Sequence, residues 1–102
     1  MAKGYWIIHA DVNDAEAFER YRAANEVAFA AFEHRYLVRG GLSRTVEGSV
    51  RKRTVIVEFP DYASALACYE APASQAARAL RQQVVDGLRV AEVDFVICEG
   101  PD

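Results

Sequence analysis

Several things are scarce in this sequence, and each scarcity excludes something. There are two cysteines, Cys68 and Cys98, in different predicted elements, with no CxxC pair and no neighbouring histidine to complete a metal site. Both read as small buried hydrophobes, with a reactive thiol as the alternative. The two histidines, His9 and His34, make no metal site either. No apolar run approaches the roughly 20 residues that span a bilayer. The opening "MAKGYWIIHADV" turns polar too soon for a signal peptide, so a cytoplasmic location and no membrane partner are expected. Gly40-Gly41 lacks the third glycine and the strand-to-helix setting of a dinucleotide loop, and there is no P-loop. The twelve Lys and Arg are scattered through a chain of net charge −3, which excludes the cationic stripe that nucleic acid requires. Repeats, linkers and low-complexity segments are absent.

What is present is the composition of an ordinary globular protein. At 102 residues, 52% hydrophobic and 26% charged, the chain reads as one domain, residues 1–102, with one core of modest size. A period of two marks the first strand, Gly4 to Val12, and Asn13 with Glu16 reads as a capping box opening a helix to about Glu33. That helix turns Phe18, Tyr21, Asn25, Ala28, Phe29 and Phe32 inward. "RYLVRGG" is a second strand running on through "LSRTVEG", its paired glycines suggesting a bulge. Lys52 to Phe59 alternates as a third strand and forms a hairpin with the second. Asp61 caps a second helix, which "APAS" interrupts at Pro72 and which continues from Ala73 to Asp86, where Gly87 stops it. "AEVDFVICEG" is the last strand.

The order β-α-β-β-α-β predicts an α+β ferredoxin-like fold, a four-stranded antiparallel sheet with both helices on one face. The apolar sets Trp6, Ile8, Ala10; Val55, Val57, Phe59; and Val93, Phe95, Ile97 suit the helix side. Tyr5, Ile7, His9, Asp11, Thr54, Ile56, Glu58, Asp94, Val96 and Cys98 are left on the other, a mixture too apolar to be fully wet and too polar for a dry core. A second subunit that closes over this face and keeps a cavity fits such a mixture.

His9 and Glu58 lie on adjacent central strands, and Arg39 ends the neighbouring one. A one-residue slip of the hairpin decides whether Arg39 shares their face. If it does, an Arg, a carboxylate and a His converge, able to bind an anionic oxygen and move a proton. The competing readings are a structural Arg39–Glu58 ion pair and a core or interface His9. Asn25 and the tyrosines Tyr5, Tyr21, Tyr36 and Tyr69 are read as structural or as substrate-fixing, and Asp11 and Asp94 as solvated.

The segments "GYWIIHADVND", "AFERYRAANEVAFAAF", "RYLVRGG", "VIVEFPDYASALACYEAP" and "QAARALR" together resemble the uncharacterised bacterial family known as domain of unknown function 1330, over nearly the whole chain. The resemblance implies kinship with the dimeric α/β barrels, in which two ferredoxin-like sheets close face to face. Relatives of that kind include monooxygenases needing no metal or flavin, lactone isomerases, haem-degrading enzymes and stress-response proteins. The family's recurrent positions fall on Tyr21, Asn25, Arg39, Gly40, Gly41, Glu58, Phe59, Pro60 and Tyr69. The chain departs from the family pattern at Glu33-His34 and at "EAPAS", where Ala71 lacks a hydroxyl and Ser74 an aromatic ring.

The resulting expectation is a homodimer binding a small carboxylate or aromatic molecule, without cofactor or metal. Arg39, His9 and Glu58 would do any chemistry, with Tyr21, Asn25, Tyr5 and Tyr69 contacting substrate. A non-catalytic binding or stress-response module and a haem-binding barrel using His9 are the alternatives.

Overall fold

The computed structural model describes residues 2–102. Strand β1 (Gly4–Val12) leads to helix α1 (Ala15–Phe29), strands β2 (Arg35–Arg39) and β3 (Arg53–Phe59), and helices α2 (Tyr62–Glu70) and α3 (Pro72–Gln82). A small hairpin of β4 (Val84–Val85) and β5 (Leu88–Arg89) precedes β6 (Ala91–Glu99). The long strands make one antiparallel sheet in the order β2-β3-β1-β6. This is the ferredoxin-like α+β arrangement that the element order predicts, and the sheet is open, with no barrel closed within one chain.

Period-two alternation places the core. Trp6, Val57 and Phe59 are buried beneath the helices together with Phe29, Ala65 and Cys68, and Ile8, Val55, Phe95 and Ile97 pack against them. A second cluster joins Phe18 and Tyr21 of α1 to Ala77 of α3 and to Val90 and Ala91. Burial pushes the Cys68 thiol up to about 11, as expected of a cysteine acting as a small hydrophobe.

Local chemistry moves several boundaries. The cap of α1 is Asp14, whose carboxylate accepts from the Ala17 amide at 3.0 Å, rather than Asn13. Asn13 instead ties the helix start to the end of β5, its amide side chain donating to the Arg89 carbonyl and its backbone N–H to Val90. Helix α1 stops at Phe29, short of Glu33, because the chain turns down to the sheet through Phe32 and stacks His34 on Phe29, ring centroids 4.3 Å apart. Helix α3 stops at Gln82. Asp86 and Gly87, read as a helix end, both have positive φ (52° and 81°) and form the two-residue turn of the β4–β5 hairpin, where Asp-Gly is favoured.

The second strand is shorter than its sequence suggests, and residues 40–52 form no ladder. Arg51, bound to Asp11 at 3.1 Å and Asp94 at 3.2 Å, and the Lys52 amide, bound to Asp11, fasten the returning chain to the sheet. The two carboxylates read as merely solvated are therefore a clamp.

Candidate functional site

One irregularity decides what Arg39 faces. Tyr36 pairs with Val57, Val38 with Ile56 and Arg39 with Val55, so Leu37 has no partner on β3. In a regular ladder Arg39 would oppose Thr54, on the face of His9 and Glu58; the bulge at Leu37 turns it to the helix side. Tyr36 and Arg39, three residues apart, thereby share one face, the guanidinium 4.2 Å from the ring centroid. Gly40 follows at φ 71°, and a β-carbon there would overlap the guanidinium of Arg53. The first glycine supplies both the backbone conformation and the space for that arginine.

On the helix side a shallow open cleft lies between α1 and the sheet, enclosing about 50 Å³. Its base is Trp6, Ile8, Val55, Val57 and Val93; α1 contributes Phe18, Tyr21, Asn25 and Phe29 from one face of the helix. Into this apolar setting come four arginines from four elements, Arg22, Arg39, Arg53 and Arg81, against a single carboxylate, Glu26. A chain of net charge −3 has concentrated positive charge in this apolar cleft.

The partners differ. Arg22 pairs with Glu19 at 2.8 Å and Arg39 with Glu26. Glu26 also accepts from the Tyr36 hydroxyl at 3.1 Å. Burial, reinforced by the Glu26 charge, pushes Tyr36 up to about 12. Arg53 sits over the Phe18 ring and Arg81 over the Tyr21 ring, and neither has an ion pair among the described residues. Burial, followed by the charge of Arg22, holds the Arg53 pKa below the ordinary guanidinium value.

Tyr36 offers a direct check. A group whose folded pKa is raised contributes stability in full below its unfolded pKa, near 10, and loses it as pH climbs to about 12. In an ultraviolet titration one tyrosine should stay protonated beyond pH 11 or so, and Tyr36→Phe should remove that late phase. A titration identical in the variant would place the protected ring elsewhere.

Of the residues expected at a site, Arg39, Tyr21 and Asn25 meet in the cleft. His9, Glu58 and Tyr5 are on the opposite face. His9 Nδ1 lies 3.0 Å from the Thr54 hydroxyl, while Glu58 accepts from Tyr5 at 3.2 Å and pairs with Arg35 at 3.2 Å. His9 and Glu58 stand four rungs apart, about 13 Å along the strand, so the conditional Arg–His–carboxylate convergence does not form. The Leu37 bulge is the reason for Arg39, and the register for the other two. Tyr69 is a packing residue outside the cleft, its ring 4.9 Å from Phe95 and 3.6 Å from the Arg78 guanidinium. Neither histidine lines the cleft, as a haem-binding barrel would want. Arg53, Arg81, Arg22 and Glu26 were not anticipated. Two left a trace in sequence: Arg53 extends the inward set Val55, Val57, Phe59, and Arg81 follows Ala77 by one helical turn on the buried side of α3.

The element order and sheet topology define a ferredoxin-like class of fold, and solved structures share that fold. A protein of unknown function from Rhodopseudomonas palustris is 13% identical, TM-score 0.72, over 99% of this chain and 84% of that one. An ethyl tert-butyl ether D (EthD) family protein from Bacillus halodurans is 15% identical, TM-score 0.55, over 99% of this chain and 100% of its own. A dimeric ferredoxin-like protein of unknown function from Thermobifida fusca is 16% identical, TM-score 0.54, over 96% and 89%. At these identities the likeness is one of fold. Among curated proteins none matches. The chain belongs to the family described as Domain of unknown function (DUF1330), whose model matches residues 3–101.

Proposed function

We propose that this protein binds a small organic anion, with an apolar or aromatic body, in the cleft between α1 and the sheet. The observation that carries this reading is the convergence of four arginines and one carboxylate on an apolar base. Apolar surface holds the body of such a ligand, and guanidinium forks hold its charged oxygens. Arg39 at the mouth is the orienting cation, with Tyr21 and Asn25 beside the ligand. Any reaction would use Glu26 to move a proton, since it is the cleft's one carboxylate.

Trp6, the sole tryptophan, lines the cleft and serves as a reporter. Benzoate should change its fluorescence saturably, methyl benzoate should not, and Arg39→Ala should weaken benzoate about tenfold. Equal responses to acid and ester, or none that saturates, would remove the anion reading.

The bare face is proposed to close against a second copy. Ile7, Ile56 and Val96 form an apolar strip across it, Val96 51% exposed in the single chain, and a structural relative is described as dimeric. His9, Tyr5 and Glu58 then belong to the interface. Native mass spectrometry of gently purified protein should give a dimer, and Val96→Glu a monomer; a monomeric parent chain would overturn this part.

A further inference from the structure

The arginines of the cleft are not equivalent. Arg22 is answered by Glu19 and Arg39 by Glu26, whereas Arg53 and Arg81 face no carboxylate within ion-pairing distance among the described residues. Arg81 is only 6% exposed yet lines the cleft. Its guanidinium carbon lies 5.3 Å from the Tyr21 ring centroid, that of Arg53 lies 5.8 Å from Phe18, and those two rings are 5.2 Å apart. Two cations thus flank one aromatic pair inside one cleft.

A guanidinium, unlike a lysine ammonium, cannot shed its charge on burial. The desolvation cost of both charges therefore persists in the empty protein. Aromatic faces offset part of it, and Arg81, in the last turn of α3, gains something from the negative end of the helix. Neither contact neutralises charge. Gly40 leaves open the space that the Arg53 guanidinium occupies.

We infer that the ligand is an organic dianion, whose two negative charges answer Arg53 and Arg81 while its apolar body lies against the half-buried Ile8, Val55 and Val93. This rests on the anion-binding reading above and deepens it by fixing the charge and naming the residues that select for it. The same chemistry is offered by two carboxylates on one small scaffold and by a phosphate monoester.

Calorimetry of the full chain at pH about 8, where every acid used is fully ionised, tests this. The probes are methyl benzoate, benzoate, phthalate, isophthalate and phenyl phosphate. At least one dianion should bind about tenfold or more tightly than benzoate. Arg53→Met and Arg81→Met, first shown to melt cooperatively, should each reduce that preference to about twofold or less, with a smaller loss for benzoate. A dicarboxylate ahead of phenyl phosphate puts the charges on separate centres, and the reverse puts them on one; both outcomes support the inference. Benzoate equal to every dianion would overturn it and leave the anion-binding cleft standing. Dianion preference undiminished in both variants would overturn the residue assignment. Methyl benzoate equal to benzoate, or no binding by any probe, would overturn both readings together.

Discussion

Trp6→Ala is expected to destabilise the protein by about 3–5 kcal/mol, the range for removing a buried aromatic ring, and to lower its Tm by on the order of 20 °C. Trp6 is 2% exposed and joins four other elements of the main core. Its ring centroid lies 5.1 Å from Phe29 of α1, 4.9 Å from Phe59 of β3, 5.0 Å from Phe95 of β6 and 6.3 Å from Tyr69 of α2. Its indole N–H donates to the Ala65 carbonyl at 2.9 Å, tying the sheet to α2. Alanine removes those aromatic contacts, leaves a cavity in a core of modest size and deprives a buried carbonyl of a partner. Domains of this length hold roughly 5–15 kcal/mol in all, so the loss is a large fraction of the whole. Urea unfolding followed by circular dichroism measures this. A midpoint shift worth less than about 1 kcal/mol would show that the aromatic cluster is not the centre of the core.

The limits of the sequence follow from the same geometry. Strand β1 begins and ends where its alternation predicts, because alternation is the direct imprint of one buried sheet face. The Pro72 break between α2 and α3 is equally legible, since proline cannot continue a helix. Hairpin register is a different kind of quantity. It depends on whether Leu37 pairs, which goes with packing of Tyr36 beneath α1 and of Arg39 against Glu26, contacts between a strand and a helix that alternation within the strand does not record. One unpaired residue moved Arg39 from the face of His9 to the cleft, so the site changed sides while the fold did not. Arg53 and Arg81 were obscured for a related reason. An arginine on an apolar period is ordinarily discounted as a solvated end, and only the assembled cleft distinguishes it from one.

Arg81→Met is expected to have opposite effects on stability and on binding. In the empty protein Arg81 as a whole residue is 6% exposed and has no ion pair among the described residues, and methionine keeps a similar stem without the charge. Replacing buried ionic groups with apolar ones of similar volume has stabilised other proteins by about 1–4 kcal/mol. The negative end of α3 supports the charge and argues for the lower part of that range. A gain of about 1–2 kcal/mol corresponds to a Tm higher by roughly 5–15 °C in a domain of this size. Binding of the preferred anion should meanwhile fall by about tenfold or more, because the variant no longer offers a desolvated cation to the ligand. Differential scanning calorimetry without ligand separates the two possibilities for this residue. A structural arginine, held for packing or for its helix end, would give a lower Tm on substitution. A binding arginine should give a higher one, since stability lost in the empty state is the usual consequence of preparing a buried charge for a partner.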